Sequence, residues 1–293
     1  MINKEKYYQE QLDAMRDMMD RTTSYMEELQ EELKQANNKL ELRHRQMADS
    51  VNYASKIQKQ LLPDDLIFAN FFSDHYWYIS QRDTIGGDFI FVKEVEGVVF
   101  FGLFDCTGHG IPGALLSIMG HQLINEIFEN KCCPTTEKVA VSLNQMFTNF
   151  FAGDKAEVND GMEGVICCYD PSKHYFSYTS AGRPLWMKRN EEWLKLERSR
   201  SSIGAVRGGA GDYFSETFSL EDNDEIFIFS DGLPDQFGGD HYKKFLAKRI
   251  MNSLVKKKHE KLSDRLANLE TVHKMWRIDV DQTDDISFLG VKF

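Results

Sequence analysis

The sequence predicts an α+β protein in which one long N-terminal helix precedes a domain of antiparallel sheets covered by helices. Residues 1–62 contain neither glycine nor proline, whereas all 20 glycines and all 6 prolines follow. From residue 75 onward, short apolar runs are separated by turn residues, which is typical of strands and hairpins. Two blocks with helical spacing interrupt these runs, and this order favours separate layers of sheets and helices.

The N-terminal segment carries a heptad seam, with seam positions alternately four and three residues apart. Its members are Tyr8, Leu12, Met15, Met19, Thr22, Met26, Leu29, Leu33, Ala36, Leu40, Arg43, Met47, Ser50, Ala54, Ile57 and Leu61. Such a helix would be roughly 80 Å long, too long to fold back over a small core. We therefore expect a two-stranded coiled coil and a homodimer, weakened by the polar seam residues. A lone amphipathic helix packed on its own domain is the alternative.

The rest of the chain reads as hairpins interleaved with helices. The predicted strands and hairpins are 75–82, 88–105 with a turn near Glu96-Gly97, 161–182 with a turn at 170–173, 184–197 with a turn at Asn190-Glu191, 224–239 ending in a turn, and 286–293. The predicted helices are 113–130, about 135–151 and a helical stretch at about 241–276.

Composition narrows the function classes. The chain has 293 residues, 42% of them hydrophobic, and a net charge of −11, which argues against nucleic acid as a partner. The densest basic stretch, 248–261, is interpreted as a solvated helix face.

The five cysteines have neither zinc-site nor disulfide spacing. No signal peptide or membrane span is evident, so we expect a cytoplasmic protein.

Aspartates stand at four predicted strand ends that are distant in sequence. They are Asp88, Asp105, Asp231 and Asp284, the last followed by Asp285. Several carboxylates at the rim of a sheet would be costly unless they met a cation, and Mg²⁺ or Mn²⁺ prefers oxygen ligands. The spacing thus indicates a divalent metal site. The alternative is that aspartate is simply common in turns and helix caps.

The order of the motifs carries a family resemblance. ASKIQKQLLP, GGDFIFV, DCTGHGIPGALLS, TSAGRPLW, SSIG, IFSDGLPDQFGG and TDDISFLGV follow one another over about residues 50–293. Together they resemble the SpoIIE/RsbU-type bacterial serine phosphatases of the PPM (phosphatase 2C-like) superfamily. The resemblance implies a central antiparallel β-sandwich flanked by helices, with two Mn²⁺ or Mg²⁺ ions at one end. It divides the chain into a coiled-coil linker, 1–62, and a phosphatase domain, 63–293.

The resemblance also assigns ligands. Asp88, Asp105, Asp231 and Asp284 match the family's carboxylate ligands, the Cys106 carbonyl matches its backbone ligand, and Asp285 supports them. In the implied reaction, a hydroxide bridging two ions attacks phosphorus and the seryl oxygen leaves without a phosphoenzyme. A cysteine phosphatase is disfavoured because no glycine-rich loop ending in arginine follows Cys106.

The general acid stays open at this stage. Thr107 stands where many eukaryotic members of the superfamily have histidine, so a protonated His109 or a metal-bound water is the candidate. His109 could instead cap the turn before the next helix.

Arg82, and more weakly Arg183, could bind phosphate. For Arg82, a solvent-exposed arginine without a functional role is an equally good interpretation. The segment NDGMEG, residues 159–164, resembles a family motif in which aspartate is common at the position of Glu163. Gly161 and Met162 would shape the loop beside the substrate groove. Asn159 and Asp160 would form the rim of that groove.

Three functions remain. The first is a metal-dependent phosphatase for phosphoserine or phosphothreonine on a regulatory protein, by resemblance a STAS-type anti-sigma factor antagonist, gated by the coiled-coil linker. The second is a catalytically inactive phosphatase-like scaffold that only binds a partner. The third is an oligomeric adaptor whose functional part is the coiled coil.

Overall fold

The computed structural model describes residues 2–129, 134–151, 160–190, 192–204, 212–255 and 260–293. The chain divides into two compact units, Met1–Tyr53 and Ala54–Phe293. Within the described residues, no helix combines the length and the apolar character needed to cross a membrane.

The first unit is helical throughout its described residues. Helix α1 (Ile2–Gln58) begins there, and the apolar seam residues of this unit are exposed to between 41% (Leu29) and 66% (Met15). An isolated helix gains no tertiary stabilisation from such an exposed stripe. Burial of this stripe against a second copy of the helix would supply that stabilisation, and the homodimer stays a prediction.

The second unit contains the remaining elements. Its strands are β1 (Asp74–Ser80), β2 (Phe89–Val95), β3 (Val98–Cys106), β4 (Met162–Asp170), β5 (Tyr175–Ala181), β6 (Leu185–Arg189), β7 (Glu192–Lys195), β8 (Phe214–Ser219), β9 (Glu225–Phe229), β10 (Phe237–Gly238), β11 (Lys243–Lys244) and β12 (Ile286–Lys292). Its helices are α2 (Asp65–Phe71), α3 (Gly110–Glu129), α4 (Thr136–Phe151), α5 (Gly232–Asp235), α6 (Ala247–Val255) and α7 (Leu262–Trp276), with a short 3₁₀ turn at Lys59–Leu61.

Two five-stranded antiparallel sheets pack face to face. One has the order β1-β12-β9-β6-β7 and the other β2-β3-β4-β5-β8, and β10 and β11 form a separate small hairpin. Alternation along β3 explains the layering, since Phe101 and Leu103 join the core between the sheets whereas Phe100 and Phe104 face α3 and α4. Helices α6 and α7 cover the outer face of the other sheet. The α+β sandwich flanked by helices is thus confirmed.

Several sequence predictions need correction. The stretch 241–276 is not one helical region, because it contains β11, α6 and α7. Helix α2 was not predicted, although the Asp64 side chain caps it by accepting a hydrogen bond from the Leu66 N–H at 2.9 Å. Strand β8 was missed because it is a largely exposed edge strand with weak alternation, and the turn at Asp231 continues into α5.

The predicted hairpin turn at Glu96-Gly97 is confirmed, and both residues adopt positive φ. Cys106 and Cys167 are buried free thiols, and Cys168 is partly buried. Some predictions lie outside the described residues. These are the ones for Cys132, Cys133, Asn159, Glu191 and part of the basic stretch 248–261.

Candidate active site

Strand pairing brings the four predicted strand ends together. Phe89, directly after Asp88, pairs with Phe104, directly before Asp105. In the other sheet, Phe229 near the end of β9 pairs with Phe288 near the start of β12, so Asp231 and Asp284 lie at neighbouring strand ends. Asp105 interacts electrostatically with both Asp88 and Asp231, so the two sheets present their aspartates to one region.

A cavity of about 320 Å³ lies over this region. Its lining consists of Asp105, Cys106, Thr107, Gly108, His109, Gly161, Met162, Glu163, Arg183, Ser202, Asp231 and Asp284. Gly161 and Met162 therefore lie beside the cavity, where the sequence placed them. Asp88 is only 2% exposed and is not among the residues that line this cavity.

Asp88 is the most deeply buried carboxylate of the site. Its Oδ2 accepts a hydrogen bond from Ser287 Oγ at 2.6 Å, while its Oδ1 is buried without a hydrogen-bond partner in the described part of the chain. Burial, and to a lesser extent the charge of Asp285, raises the pKa of Asp88 to about 7. An unpartnered buried carboxylate oxygen is costly, and a cation would relieve that cost.

Asp105 lies between carboxylates of both sheets. Burial raises its pKa well above the ordinary range, the charges of Asp88 and Asp231 raise it further, and Arg183 opposes the rise. One Arg183 Nη atom donates to Asp105 Oδ2 and also lies 3.2 Å from Asp231 Oδ2. The carboxylates are therefore crowded and share this guanidinium.

Arg183 lies closer to the predicted ligands than the sequence alone indicated, since it contacts both Asp105 and Asp231. Its side chain is 10% exposed, and its Nε lies 3.4 Å from Glu163 Oε2 in addition to the two aspartate contacts. Burial alone would lower the pKa of this guanidinium, but Asp105, Asp231 and Glu163 raise it. In the sequence, Arg183 is a single arginine in the motif TSAGRPLW. Its carboxylate neighbours come from other parts of the chain, so only the folded structure identifies them.

Asp285 shapes the glycine loop that precedes Asp88. Its Oδ1 accepts from the Arg82 N–H and its Oδ2 from the Gly87 N–H, each at 2.6 Å. A Cβ on Gly87 would lie 2.9 Å from the Cys106 carbonyl oxygen, so glycine lets the loop pass close to that carbonyl. Asp285 thus acts on the backbone of the site, as the sequence suggested.

The loop is also held from the end of α1. Gln58 Nε2 donates to the Gly86 carbonyl at 2.7 Å and lies 3.0 Å from Ser117 Oγ on α3. Gly86 is two residues before Asp88. The last residue of α1 therefore contacts the loop that carries the most buried carboxylate.

His109 and Arg82 occupy different positions. His109 lines the cavity, and its Nδ1 lies 3.1 Å from Asp83 Oδ2, with both side chains about half exposed. Helix α3 begins one residue later, at Gly110. The Arg82 side chain is exposed and is not among the residues that line the cavity.

The donor set suits a hard divalent cation, although it does not form a ready-made cage. Among the described residues, no three His, Cys, Asp or Glu side chains are grouped closely enough to hold an ion. One Arg183 nitrogen contacts both Asp105 and Asp231. The candidate ligands supply only oxygen, the preference of Mg²⁺ and Mn²⁺, and Asp88 Oδ1 lacks a partner, so the residues fit such an ion.

Solved structures share this architecture. The PP2C domain of SiaA from Pseudomonas aeruginosa is 25% identical, with a TM-score of 0.76 over 85% of this chain and 98% of that one. The phosphatase domain of SpoIIE with a fragment of its regulatory domain, from Bacillus subtilis, is 16% identical, with a TM-score of 0.60 over 75% of this chain and 63% of that one. RsbX in complex with magnesium is 18% identical, with a TM-score of 0.52 over 75% and 94%. A comparison with curated protein sequences gave no match.

Fold and site together define the class of PP2C-type serine/threonine phosphatases, which generally use divalent metal ions. Residues 96–293 match the family model of stage II sporulation protein E (SpoIIE). The chain belongs to the SpoIIE family.

Proposed function

We propose that this chain is an active, metal-dependent protein serine/threonine phosphatase, with residues 63–293 as its catalytic domain. The observation that carries the proposal is the meeting of Asp88, Asp105, Asp231 and Asp284 from two sheets beside one open cavity. Like charges crowded in this way are costly in a purely structural site. They are expected where two positive ions and a phosphoryl group are to be bound.

Asp88, Asp105, Asp231, Asp284 and the Cys106 carbonyl would hold two Mn²⁺ or Mg²⁺ ions. When bound, such ions lower the pKa of a water molecule and neutralise the charge of the phosphoryl oxygens. The chain itself contributes the arrangement of the ligands. Ser287 orients Asp88 by a hydrogen bond at 2.6 Å, and Asp285 fixes the Gly86-Gly87 backbone beside it.

We infer that His109 donates a proton to the seryl oxygen that leaves. Asp83 contacts its Nδ1, which leaves Nε2 as the nitrogen for a substrate at the cavity. A carboxylate that fixes one ring nitrogen orients the other. His109 is therefore our candidate general acid, and Asp83 is a positioning residue for it.

The substrate we propose is a phosphoserine or phosphothreonine on a STAS-type regulatory protein, as the family resemblance implies. The cavity is open at the surface of the second unit and is lined mostly by polar groups, which suits a phosphorylated side chain on a folded protein.

The first experiment measures phosphate release from p-nitrophenyl phosphate and from a phosphoserine STAS protein, with Mn²⁺, Mg²⁺ or EDTA. D105N and D231N are compared with wild type and with D240N, a matched variant of an exposed aspartate. We expect metal-dependent turnover in wild type and D240N, and its loss in the other two. Tight binding of the STAS protein without turnover, unaffected by EDTA, would instead identify the inactive scaffold.

Gating by the linker is a separate part of the proposal. The Gln58 contact to Gly86 joins the end of α1 to the loop of Asp88, and the exposed seam of the first unit suits a homodimer. In L33P, we expect the dimer and the turnover per chain to change together, measured by light scattering and phosphate release. Loss of the dimer with unchanged turnover would contradict the coupling, and loss of all function on removing residues 1–49 would favour the adaptor.

A further inference from the structure

Arg183 takes a position among the candidate metal ligands that a cation would otherwise fill. Its guanidinium contacts Asp105, lies 3.2 Å from Asp231 and lies 3.4 Å from Glu163. The side chain is nine-tenths buried. Bringing a guanidinium out of water is repaid only by close carboxylates, so these contacts account for its placement.

The backbone of Arg183 is fixed independently of these ion pairs. Ser180 Oγ donates to the Arg183 carbonyl at 2.7 Å, and Arg198 donates to the neighbouring Gly182 carbonyl at 2.7 Å. Withdrawal of the guanidinium from Asp105 and Asp231 would therefore be a movement of the side chain rather than of this backbone. Glu163, which is 44% exposed at the rim of the cavity, offers it a partner during that movement.

We propose that Arg183 is an internal cation that competes with divalent metal ions for Asp105 and Asp231, and that it thereby sets the metal affinity of the site. This inference rests on the proposed function, since it concerns the same carboxylates. A divalent ion and a guanidinium cannot both occupy the space between the two aspartates. Metal binding therefore requires Arg183 to withdraw from them.

Thermodynamic linkage predicts the direction in which removal of Arg183 changes the metal affinity. An interaction that stabilises only the metal-free form lowers the affinity for the metal by the same factor. Removing Arg183 destabilises the metal-free protein, because crowded carboxylates lose their shared cation, but leaves the metal-loaded protein little changed. The variant must then bind the ion more tightly.

The test is titration calorimetry of EDTA-treated full-length protein with Mn²⁺ at one pH. We expect R183Q to bind Mn²⁺ about tenfold more tightly than wild type, or more, since hydrogen bonds to charged groups are worth about that factor. R183K keeps the charge but lacks the guanidinium Nε that lies 3.4 Å from Glu163, so its affinity should lie between those of R183Q and wild type. R200Q is the matched control, because Arg200 is a nearby exposed arginine that does not line the cavity, and its affinity should equal that of wild type.

Thermal unfolding gives a second readout that does not depend on activity. R183Q without metal should melt below wild type, and the rise in melting temperature on adding Mn²⁺ should be larger than in wild type. If R183Q does not fold, the Mn²⁺ affinity of R183K and the response of the wild-type protein to Mg²⁺ test the inference instead. In wild type, the Nε–H signal of Arg183 in nuclear magnetic resonance spectra, assigned by its loss in R183K, should shift as Mg²⁺ saturates the site.

Equal or weaker Mn²⁺ binding by R183Q overturns the inference, as does an Arg183 signal that saturating Mg²⁺ leaves unchanged. Metal-dependent hydrolysis by wild type would then still support the proposed function. If neither protein binds Mn²⁺ at millimolar concentration, and wild type shows no metal-dependent hydrolysis, the inference and the proposed function both fail.

Discussion

Both ends of the sheet β1-β12-β9-β6-β7 carry clusters of charged side chains, and the two clusters differ in their burial and in their balance of charge. At one end, Glu225 contacts Arg265 and lies 3.9 Å from Lys188 Nζ, so one acid meets two bases. At the other end, where β9 ends and β12 begins, several carboxylates share Arg183. Glu225 pairs in register with Lys292 at the far end of β12, which separates the two clusters by the length of the strands.

This difference separates a structural cluster from a functional one. A buried acid with enough bases around it holds elements together, here β6, β9 and α7. An excess of buried acids is unfavourable for stability and is typical of sites that bind a cation or transfer a proton. The balance of charge, rather than burial alone, therefore favours the acid-rich end as the candidate active site.

The largest expected effect is on catalysis at the acid-rich end. D105N should reduce Mn²⁺-dependent phosphate release about 1,000-fold, because a metal site contributes several kcal/mol to the barrier. Its metal-free stability should change by less than about 1 kcal/mol, since relief of crowding with Asp88 and Asp231 offsets the loss of the Arg183 contact. Urea unfolding in EDTA measures the second quantity, and a large loss of stability would show that Asp105 is structural.

The next effect is on stability at the balanced end. R265M leaves Glu225 buried without its closest base, and such breaks cost about 3 kcal/mol. We expect urea unfolding to show this loss, and Mn²⁺ to raise the stability of R265M by as much as it does in wild type. The double variant E225Q/R265M should recover part of the loss. A metal response that disappears in R265M would mean that the two ends are not independent.

A smaller effect is expected at the mouth of the acid-rich cavity. H109Q should slow hydrolysis of a phosphoserine peptide about 100-fold, because a seryl oxygen needs a proton to leave. p-Nitrophenyl phosphate has a good leaving group and should be little affected. D83N should show the same selectivity more weakly. Equal losses on both substrates would indicate a structural role for His109.

The two clusters also differ in how far the sequence reveals them. Asp88, Asp105, Asp231 and Asp284 stand beside apolar runs, so a local pattern is enough to place them at strand ends. Arg183 and Glu163 have no such local signal, since their contact depends on β4 lying near the residues that follow β5, a tertiary arrangement. The Glu225–Arg265 pair likewise joins residues 40 positions apart. Long-range ion pairs follow from topology, which is why sequence patterns indicated the candidate ligands but not the arginine that contacts them.

The smallest expected effect is the response of metal-free stability to pH, which belongs to the acid-rich end. The pKa of Asp88 is about 7 in the folded protein against an ordinary value of 3.8, so between these values the folded state holds a proton that the unfolded state has released. The free energy of unfolding must therefore fall as pH rises through this window, and we expect a loss of about 2 kcal/mol or less between pH 5 and about 7. Urea unfolding in EDTA at several pH values measures this change in the free energy of unfolding.

D88N removes the titrating group and should flatten the dependence of the unfolding free energy on pH. Saturating Mn²⁺ should do the same, because a bound ion takes the place of the proton. A wild-type slope that D88N leaves unchanged would assign the pH response to other groups.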